Sequence, residues 1–206
     1  IRDSTGIVRV FPDGRIAPSD SVFALLPSVR SFLEIRDGVY LVGMHTGGLA
    51  LYDSHKHKLI KYNTREEGSR KLYNDQVSNI VKDREGRIWI GTFGGGFCRF
   101  DEEKGIMEWL TAVEGLSDDN INSIIPGDDG KLWISTGNGI SAYDPESRQF
   151  TNYMGRSEIP VNEFSMKGGI KLPGDRIYFS GSNGLVSFYP ERLIENRFIP
   201  LSLIHI

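Results

Sequence analysis

Two stretches of the sequence decide the fold: "DQVSNIVKDREGRIWIGT" (Asp75–Thr92) and "DNINSIIPGDDGKLWIST" (Asp119–Thr136). They align without a gap at an offset of 44 residues, and the alignment places Trp89 on Trp133. Self-similarity at a fixed period of this length is typical of repeat architectures, in which each unit is one supersecondary structure. The chain is therefore interpreted as a repeat protein.

Two further copies match less closely. They are "DGVYLVGMHTGGLALYD" (Asp37–Asp53) and "GDRIYFSGSNGLVSFYP" (Gly174–Pro190), in which Leu41 and Tyr178 take the tryptophan position. Each unit contains four short apolar or alternating runs separated by Asp/Gly turns, which predicts four strands per unit. Four strands in about 44 residues are typical of a β-propeller blade, whereas a β-helix repeats at a shorter period and a helical solenoid shows a 3.6-residue period.

The predicted fold is all-β: a β-propeller of four-stranded antiparallel blades, of which about four and a half are present. The first strands of the blades are predicted at Val29–Ile35, Val77–Lys82, Ile121–Pro126 and Phe164–Lys171. The partial propeller covers residues 1–195, with the tail of an earlier blade at 1–20 and blades at about 22–63, 74–111, 119–153 and 162–190. We expect this arc to belong to a larger ring, and closure as a small five-bladed ring is the alternative.

The glycine-rich segment Gly91–Gly96 raises the question of a phosphate-binding loop. Such a loop opens a helix, so that backbone N–H groups face the phosphates, and it carries a lysine. Here Phe97–Phe100 follows with strand alternation, and the lysine is missing. Because glycines recur at the same phase in the other copies, as at Gly47-Gly48, we interpret them as turn residues of each repeat.

Composition excludes several classes of function. The chain has 206 residues and a net charge of −3, so no basic face for nucleic acid is expected. The single Cys98 rules out a disulfide framework and a thiolate metal cluster, and no apolar run is long enough to span a membrane. The opening "IRDSTGIVRV" has neither a start methionine nor a signal peptide, so we expect a fragment of a longer protein. No cofactor is predicted.

Residue patterns for catalysis are weak, and the segment is predicted to be non-catalytic. The sialidase box Ser-x-Asp-x-Gly-x-x-Trp lacks its serine at both Lys82 and Pro126. The acidic clusters lie in turns rather than as a carboxylate pair across a pocket, with Glu163, at the start of a first strand, as the remaining candidate acid. His55 and His57 share a face only if their turn is a strand, so no metal site is predicted. A propeller lyase or hydrolase and a protein-interaction scaffold are the alternatives.

The repeat pattern Asp-x-x-Gly-x-(Leu/Ile)-Trp-Ile-Gly-Thr, followed by Gly-Gly and Tyr/Phe-Asp, resembles the two-component regulator propeller repeat. The linker "EGLSDDNINSI" (Glu114–Ile124) and the exit "FYPERLIENRFIPLSLIHI" (Phe188–Ile206) are similar to that family as well. The resemblance covers residues 29–206, with Leu41, Tyr178, Ser135 and Ser180 as departures at tryptophan and glycine positions.

The resemblance implies the periplasmic sensor of an inner-membrane hybrid two-component system. Such sensors contain two propellers of about seven blades each, bind a glycan breakdown product, and act as homodimers that drive a histidine kinase and DNA-binding parts downstream. The resemblance therefore implies that this arc belongs to a seven-bladed propeller and that residues 196–206 form an exit strand toward a β-sandwich. For this segment the resemblance implies an oligosaccharide or other small-molecule ligand. It implies neither nucleic-acid contact nor membrane insertion by the segment itself.

A ligand site is predicted where loops converge at one end of the propeller. The loops that enter each first strand and the loops that join second to third strands share that end, because antiparallel strands alternate in direction. Their amides, hydroxyls and aromatic side chain suit the hydroxyls and ring faces of a sugar. The candidates are His45, Thr46, Asn74, Gln76, Thr92, Phe93, Asn120, Asn138, Asn162, Glu163, Ser182 and Asn183. Turn capping by the amides is the alternative, above all where Asn138 and Asn183 precede a glycine.

The three tryptophans have different expected places. Trp89 and Trp133 lie mid-strand between aliphatic residues, and we expect them to fill the space between neighbouring blades, with ligand stacking as the alternative. Trp109 lies on an outer strand, where the pattern fits either core or rim.

Overall fold

The computed structural model describes residues 28–153 and 163–193, the short segments 2–3, 6–10 and 16–18, and residues 22 and 26. The predicted site residue Asn162 and the predicted exit strand at 196–206 lie outside the described residues. Within residues 28–153 and 163–193, the helical elements are two 3-10 helices of three residues each, Gly68–Arg70 and Pro190–Arg192.

Eighteen strands form five antiparallel sheets in the described part of the chain. The N-terminal sheet contains β1 (Arg2–Asp3), β2 (Gly6–Val10) and β3 (Ile16–Pro18). Blade 1 contains β4 (Val29–Arg36), β5 (Val39–Met44), β6 (Leu49–Asp53) and β7 (Lys58–Tyr62). Blade 2 contains β8 (Val77–Lys82), β9 (Ile88–Thr92), β10 (Phe97–Asp101) and β11 (Gly105–Leu110). Blade 3 contains β12 (Ile121–Pro126), β13 (Leu132–Thr136), β14 (Gly139–Asp144) and β15 (Gln149–Tyr153). Blade 4 contains β16 (Phe164–Leu172), β17 (Arg176–Gly181) and β18 (Gly184–Phe188).

Each blade is a meander in which consecutive strands pair, so the first strand forms one edge of its sheet. The first strands β4, β8, β12 and β16 also contact one another from blade to blade, which places them as the inner wall of the propeller. This arrangement confirms the predicted all-β propeller. Strands β8 and β12 begin and end at the predicted residues, while β4 and β16 are each one residue longer than predicted.

The core lies between the blades rather than within one sheet. Trp89 of blade 2 packs with Leu132 and Tyr143 of blade 3, and only 1% of its surface is exposed. Trp133 of blade 3 packs in the same way on Phe179 of blade 4. The predicted position of these two tryptophans between blades is confirmed.

Glycine is required where the second strand turns into the third. Gly48 and Gly96 occupy the same phase of blades 1 and 2, with φ of +80° and +71°. A Cβ at either position would overlap the backbone carbonyl oxygen of the last residue of the fourth strand, Tyr62 or Leu110. The repeated glycines therefore serve the blade turn, as predicted, because only glycine combines this φ with so close an approach.

The aspartates that end the third strands cap the following turns. Asp53, Asp101 and Asp144 each accept hydrogen bonds from two backbone N–H groups two and three residues further on. The N–H of Lys104, followed by that of Glu103, lowers the pKa of Asp101 because both bonds favour the ionised carboxylate. The aspartate of the Tyr/Phe-Asp motif therefore recurs in the repeat because it caps the turn that follows the third strand.

Candidate functional site

Backbone hydrogen bonds bring the two predicted loop sets together at one end of every blade. In each blade a residue of the joining loop donates its N–H to a carbonyl of the entering loop at 2.9–3.1 Å. The pairs are His45 with Ser28, Phe93 with Gln76, Gly137 with Asn120, and Ser182 with Glu163. These loops share one end of the sheet, which is the placement that strand alternation requires.

Hydrogen bonds also join blades 1, 2 and 3 to one another at this end. Gly48 of blade 1 donates its N–H to the carbonyl of Asp75, which leads into blade 2, at 3.0 Å. Gly94 and Gly96 of blade 2 donate in the same way to Asp119, which leads into blade 3, at 3.0 and 2.9 Å. The joining loops of blades 1 and 2 are therefore each tied to the entering loop of the next blade, and the entering and joining loops at this end of the blades are here called the loop rim.

The predicted residues of blade 2 divide into exposed and structural side chains. Phe93 is 38% exposed and forms an isolated antiparallel bridge with Asn120. Asn74 accepts the N–H of Gln76 at 2.8 Å, which is the turn-capping role considered as the alternative. Thr92 is fully buried and donates its hydroxyl to the carbonyl of Gly96 at 2.9 Å, so its side chain holds the joining loop and does not face solvent.

The predicted residues of the other blades lie mainly at the surface. Thr46, Asn138, Glu163, Ser182 and Asn183 are exposed, and His45 is half-buried. The joining loops of blades 3 and 4 are two-residue hairpin turns, because Thr136 pairs with Gly139 and Gly181 pairs with Gly184. These turns are shorter than the joining loops of blades 1 and 2, in which five residues separate the last paired residues of the second and third strands.

A bulge recurs near the start of every inner strand. The register shifts between Val29 and Ser31, Val77 and Asn79, Ile121 and Ser123, and Phe164 and Gly169. A bulge re-aims side chains and increases local twist, and such irregularities are common beside binding sites. The four bulges lie just below the loop rim, on the side of the propeller axis.

The bulges surround a cavity of about 320 Å³ between the inner strands. Its wall contains hydroxyl, amide, cationic and apolar side chains from all four blades. They are Arg30, Ser31, Phe32, Ser78, Asn79, Ile80, Val81, Ser123, Ile124, Ile125, Lys167 and Gly169. This cavity was not predicted from the sequence. Its sequence signal is a polar pair inside an otherwise apolar first strand, as in Ser78-Asn79 and Asn122-Ser123.

Two bulge positions with the same register differ in their hydrogen bonds. Asn79, opposite Gly91, donates from its amide to the carbonyl of Asn122 in the next blade at 3.1 Å. Ser31 takes the same place in blade 1, opposite Gly43, but its hydroxyl is buried without a hydrogen-bond partner. A buried hydroxyl in this state is costly to the folded chain.

An aromatic pair stands beside the loop rim at blade 2. Tyr73 stacks on Trp109 with ring centroids 4.3 Å apart and an angle of 7° between the planes, and Tyr73 is 55% exposed. Tyr73 directly precedes Asn74, and its Cβ lies close to Gly95 of the joining loop. Trp109 is therefore a partly buried side chain at the loop-rim end of blade 2. Tyr73 is an exposed aromatic residue that was not predicted from the sequence to belong to the site.

Among residues 28–153 and 163–193 no three His, Cys, Asp or Glu side chains gather as a metal site would require. Cys98 is buried, and burial raises the pKa of its thiol. Within the same described part, no helix has the length and apolar character of a membrane span.

Fold and repeat together define the class of protein, a β-propeller built from sequence repeats. The pattern of the family "Two component regulator propeller" matches residues 74–94 and 115–138, which contain the entering loops and first two strands of blades 2 and 3. The chain carries repeats of the two-component regulator propeller family at these two places, which confirms the resemblance. Curated protein sequences contain no significant match to the chain.

Solved structures share the fold. The extracellular domain of the hybrid two component system BT4673 from B. thetaiotaomicron has a TM-score of 0.67 and 20% identity, over 81% of this chain and 23% of that one. The corresponding domain of BT3049 has a TM-score of 0.55 and 24% identity, over 93% and 33%. Virginiamycin B lyase from Staphylococcus aureus has a TM-score of 0.55 and 17% identity, over 91% and 64%. The chain thus spans about a quarter to a third of the two-component domains.

Proposed function

We propose that this chain is a non-catalytic, ligand-sensing propeller segment of a membrane-bound hybrid two-component sensor. The repeats of blades 2 and 3 and the likeness to extracellular domains of such systems support this proposal. The segment lies on the periplasmic side, recognises a glycan-derived ligand, and passes the signal to a histidine kinase within a homodimer of the full-length protein.

The observation that carries the ligand-binding role is the continuity of the loop rim with the cavity below it. Gln76 of the rim is followed two residues later by Ser78 of the cavity wall. A concave site with a few convergent hydroxyl and amide groups beside apolar surface is the usual form of a small-molecule site. Oligosaccharides need such donors and acceptors together with a flat aromatic face, which Phe93 offers at the rim.

Ligand binding should depend on side chains of the loop rim. In the full-length protein, Phe93→Ala and His45→Ala should each weaken binding of an oligosaccharide, by about tenfold where a well-packed contact of roughly 1.4 kcal/mol is lost. Isothermal titration calorimetry with a panel of neutral and acidic oligosaccharides measures this. Met107→Ala is the matched control, because Met107 is 43% exposed but lies on the outer strand β11.

The control should bind as the wild type does. If an oligosaccharide binds and both rim variants retain wild-type affinity and stability, the loop rim is not the site. If no oligosaccharide of the panel binds to the wild type, the proposed function itself is wrong.

A further inference from the structure

Two cationic side chains from opposite ends of the arc of blades line the same cavity. Arg30 belongs to the bulge of β4 in blade 1, and Lys167 belongs to the bulge of β16 in blade 4. Arg30 Nη1 lies 3.8 Å from the sulfur of Met166, the neighbour of Lys167. The four blades thus bring the two positive charges together at the axis.

Neither cation has an acidic partner among the residues that the structure describes. Among the described residues, no carboxylate lies within 4.0 Å of the charged atoms of Arg30 or Lys167, whereas Lys171 on the same strand pairs with Asp128 at 2.6 Å. Burial, followed by the positive charge of Arg30, lowers the pKa of Lys167. Two like charges that face one cavity without compensation attract an anion.

The backbone at Lys167 is also unusual. Its φ is +59°, in the left-handed region that a lysine rarely adopts, and it is held there by the bulge opposite Gly181–Phe179. Such a conformation is strained and is found preferentially at functional sites. Here it belongs to the bulge that brings the side chain to the cavity wall.

The groups beside the cations fit a sugar rather than a bare anion. Ser31 adjoins Arg30 and has the buried hydroxyl without a partner, and Phe32 follows with 47% of its surface exposed. Arg30, Phe32 and Lys167 therefore offer a guanidinium, an aromatic ring and an ammonium at the cavity. The Ser31 hydroxyl lies on the other face of β4, close to Gly43. A guanidinium binds carboxylate and sulfate through two parallel hydrogen bonds, and an ammonium adds a point charge.

We propose that Arg30 and Lys167 bind the anionic group, carboxylate or sulfate, of an acidic oligosaccharide fragment whose ring packs near Phe32. This inference rests on the proposed function, since it names the class of glycan that the same site accepts. Neutral fragments lack the group that compensates the two charges, so the cavity selects against them.

The test uses calorimetry on the full-length protein with three probes: an oligogalacturonate as carboxylate probe, its methyl ester as uncharged match, and a heparin-derived disaccharide as sulfated probe. At least one charged probe should bind, and Arg30→Gln and Lys167→Gln should each weaken it by about tenfold or more. Arg30→Lys, which retains the charge but loses the fork, should give a smaller loss. Binding should also weaken as salt is raised.

Lys104→Gln is the control, because this substitution removes the same charge at a different place. Lys104 lies in the exposed turn after β10, at the end of the blade opposite the loop rim. It should bind as the wild type does, and circular dichroism should show that every variant is folded. If only neutral fragments bind, or if both Gln variants retain wild-type affinity, the inference is overturned while the proposed function stands. If neither charged nor neutral fragments bind, both fail. The heparin disaccharide carries a uronate carboxylate as well as sulfates, so stronger binding of the oligogalacturonate would indicate carboxylate recognition, and stronger binding of the heparin disaccharide would indicate that the sulfates add to it.

Discussion

Trp89 illustrates how one side chain joins two blades. Its ring lies 5.8 Å from the ring of Tyr143 in blade 3, and its Nε1 donates to the buried carboxylate of Asp83 at 2.8 Å. Asp83 also accepts a hydrogen bond from the Nε of Arg87 at 2.7 Å, so the indole N–H is held by a carboxylate that has a second donor. At the equivalent tryptophan of blade 3, Asp129 serves as a looser acceptor, at 3.3–3.4 Å from Nε1.

Trp89→Ala should lower the free energy of unfolding by about 3–5 kcal/mol, because it empties a large buried site and leaves Asp83 without one of its donors. Urea denaturation of the 206-residue polypeptide measures the change. Trp109→Ala is the comparison, since Trp109 is only partly buried against Tyr73, and its loss should be distinctly smaller. A loss under about 1 kcal/mol for Trp89→Ala would show that the indole does not hold the blades together.

At the scale of the element, the joining loop of a blade depends on a glycine that no other residue replaces. Gly96 has φ +71°, and a Cβ there would overlap the carbonyl oxygen of Leu110, the last residue of the fourth strand. Gly86, in the turn between first and second strands, has a similar φ of +80° but open space around its Cα. Substitutions at these two glycines therefore distinguish the free-energy cost of the positive φ angle from the cost of the overlap with the carbonyl oxygen.

Gly96→Ala should therefore destabilise the polypeptide more than Gly86→Ala. The angle alone costs about 1–3 kcal/mol in both variants, and the overlap with the carbonyl should add about 1 kcal/mol or more in the first. Thermal and urea unfolding of the two variants provide the comparison. Equal losses would mean that the joining loop shifts to accept the methyl group, and that the close approach is not needed by the blade.

At the scale of the whole molecule, the arc ends in an apolar sheet face. Strand register places Ile170, Leu172 and Leu185 on one face of blade 4, where all three are exposed, while Ile177 and Phe179 on the other face pack against blade 3. A further blade of the predicted larger ring would pack on this face, because blades bury their apolar faces against one another.

Far-ultraviolet circular dichroism of the 206-residue polypeptide should show β structure with little helix. The repeat units leave room for short turns only, and the described part contains no helix longer than a single 3-10 turn. A helical content above about one-fifth would contradict the blade architecture, since ordinary mixed proteins reach about a third.

The sequence alone was sufficient to predict the four-stranded blade, because the residues that specify a blade lie close together in the chain and recur in each repeat. The tryptophan at a fixed phase, the Asp/Gly turn and the glycines of the joining loop all act within one unit of about 44 residues. The first strands of blades 2 and 3 could thus be predicted to the residue, and the shared end of the loops followed from strand alternation. Strand ends in the looser blades 1 and 4 were predicted less closely, because their copies carry fewer of these signals.

Only the tertiary structure decided what faces the axis. Arg30 and Met166 are 136 positions apart in the chain, and no periodicity indicates that their strands close on one cavity with Lys167. A bulge moves a side chain from one face to another without a distinct residue pattern, so Ser31 and Asn79 look like ordinary strand residues in the sequence. The same limit applies to Thr92: its place in the joining loop could be predicted, but its burial depends on the packing of residues around it.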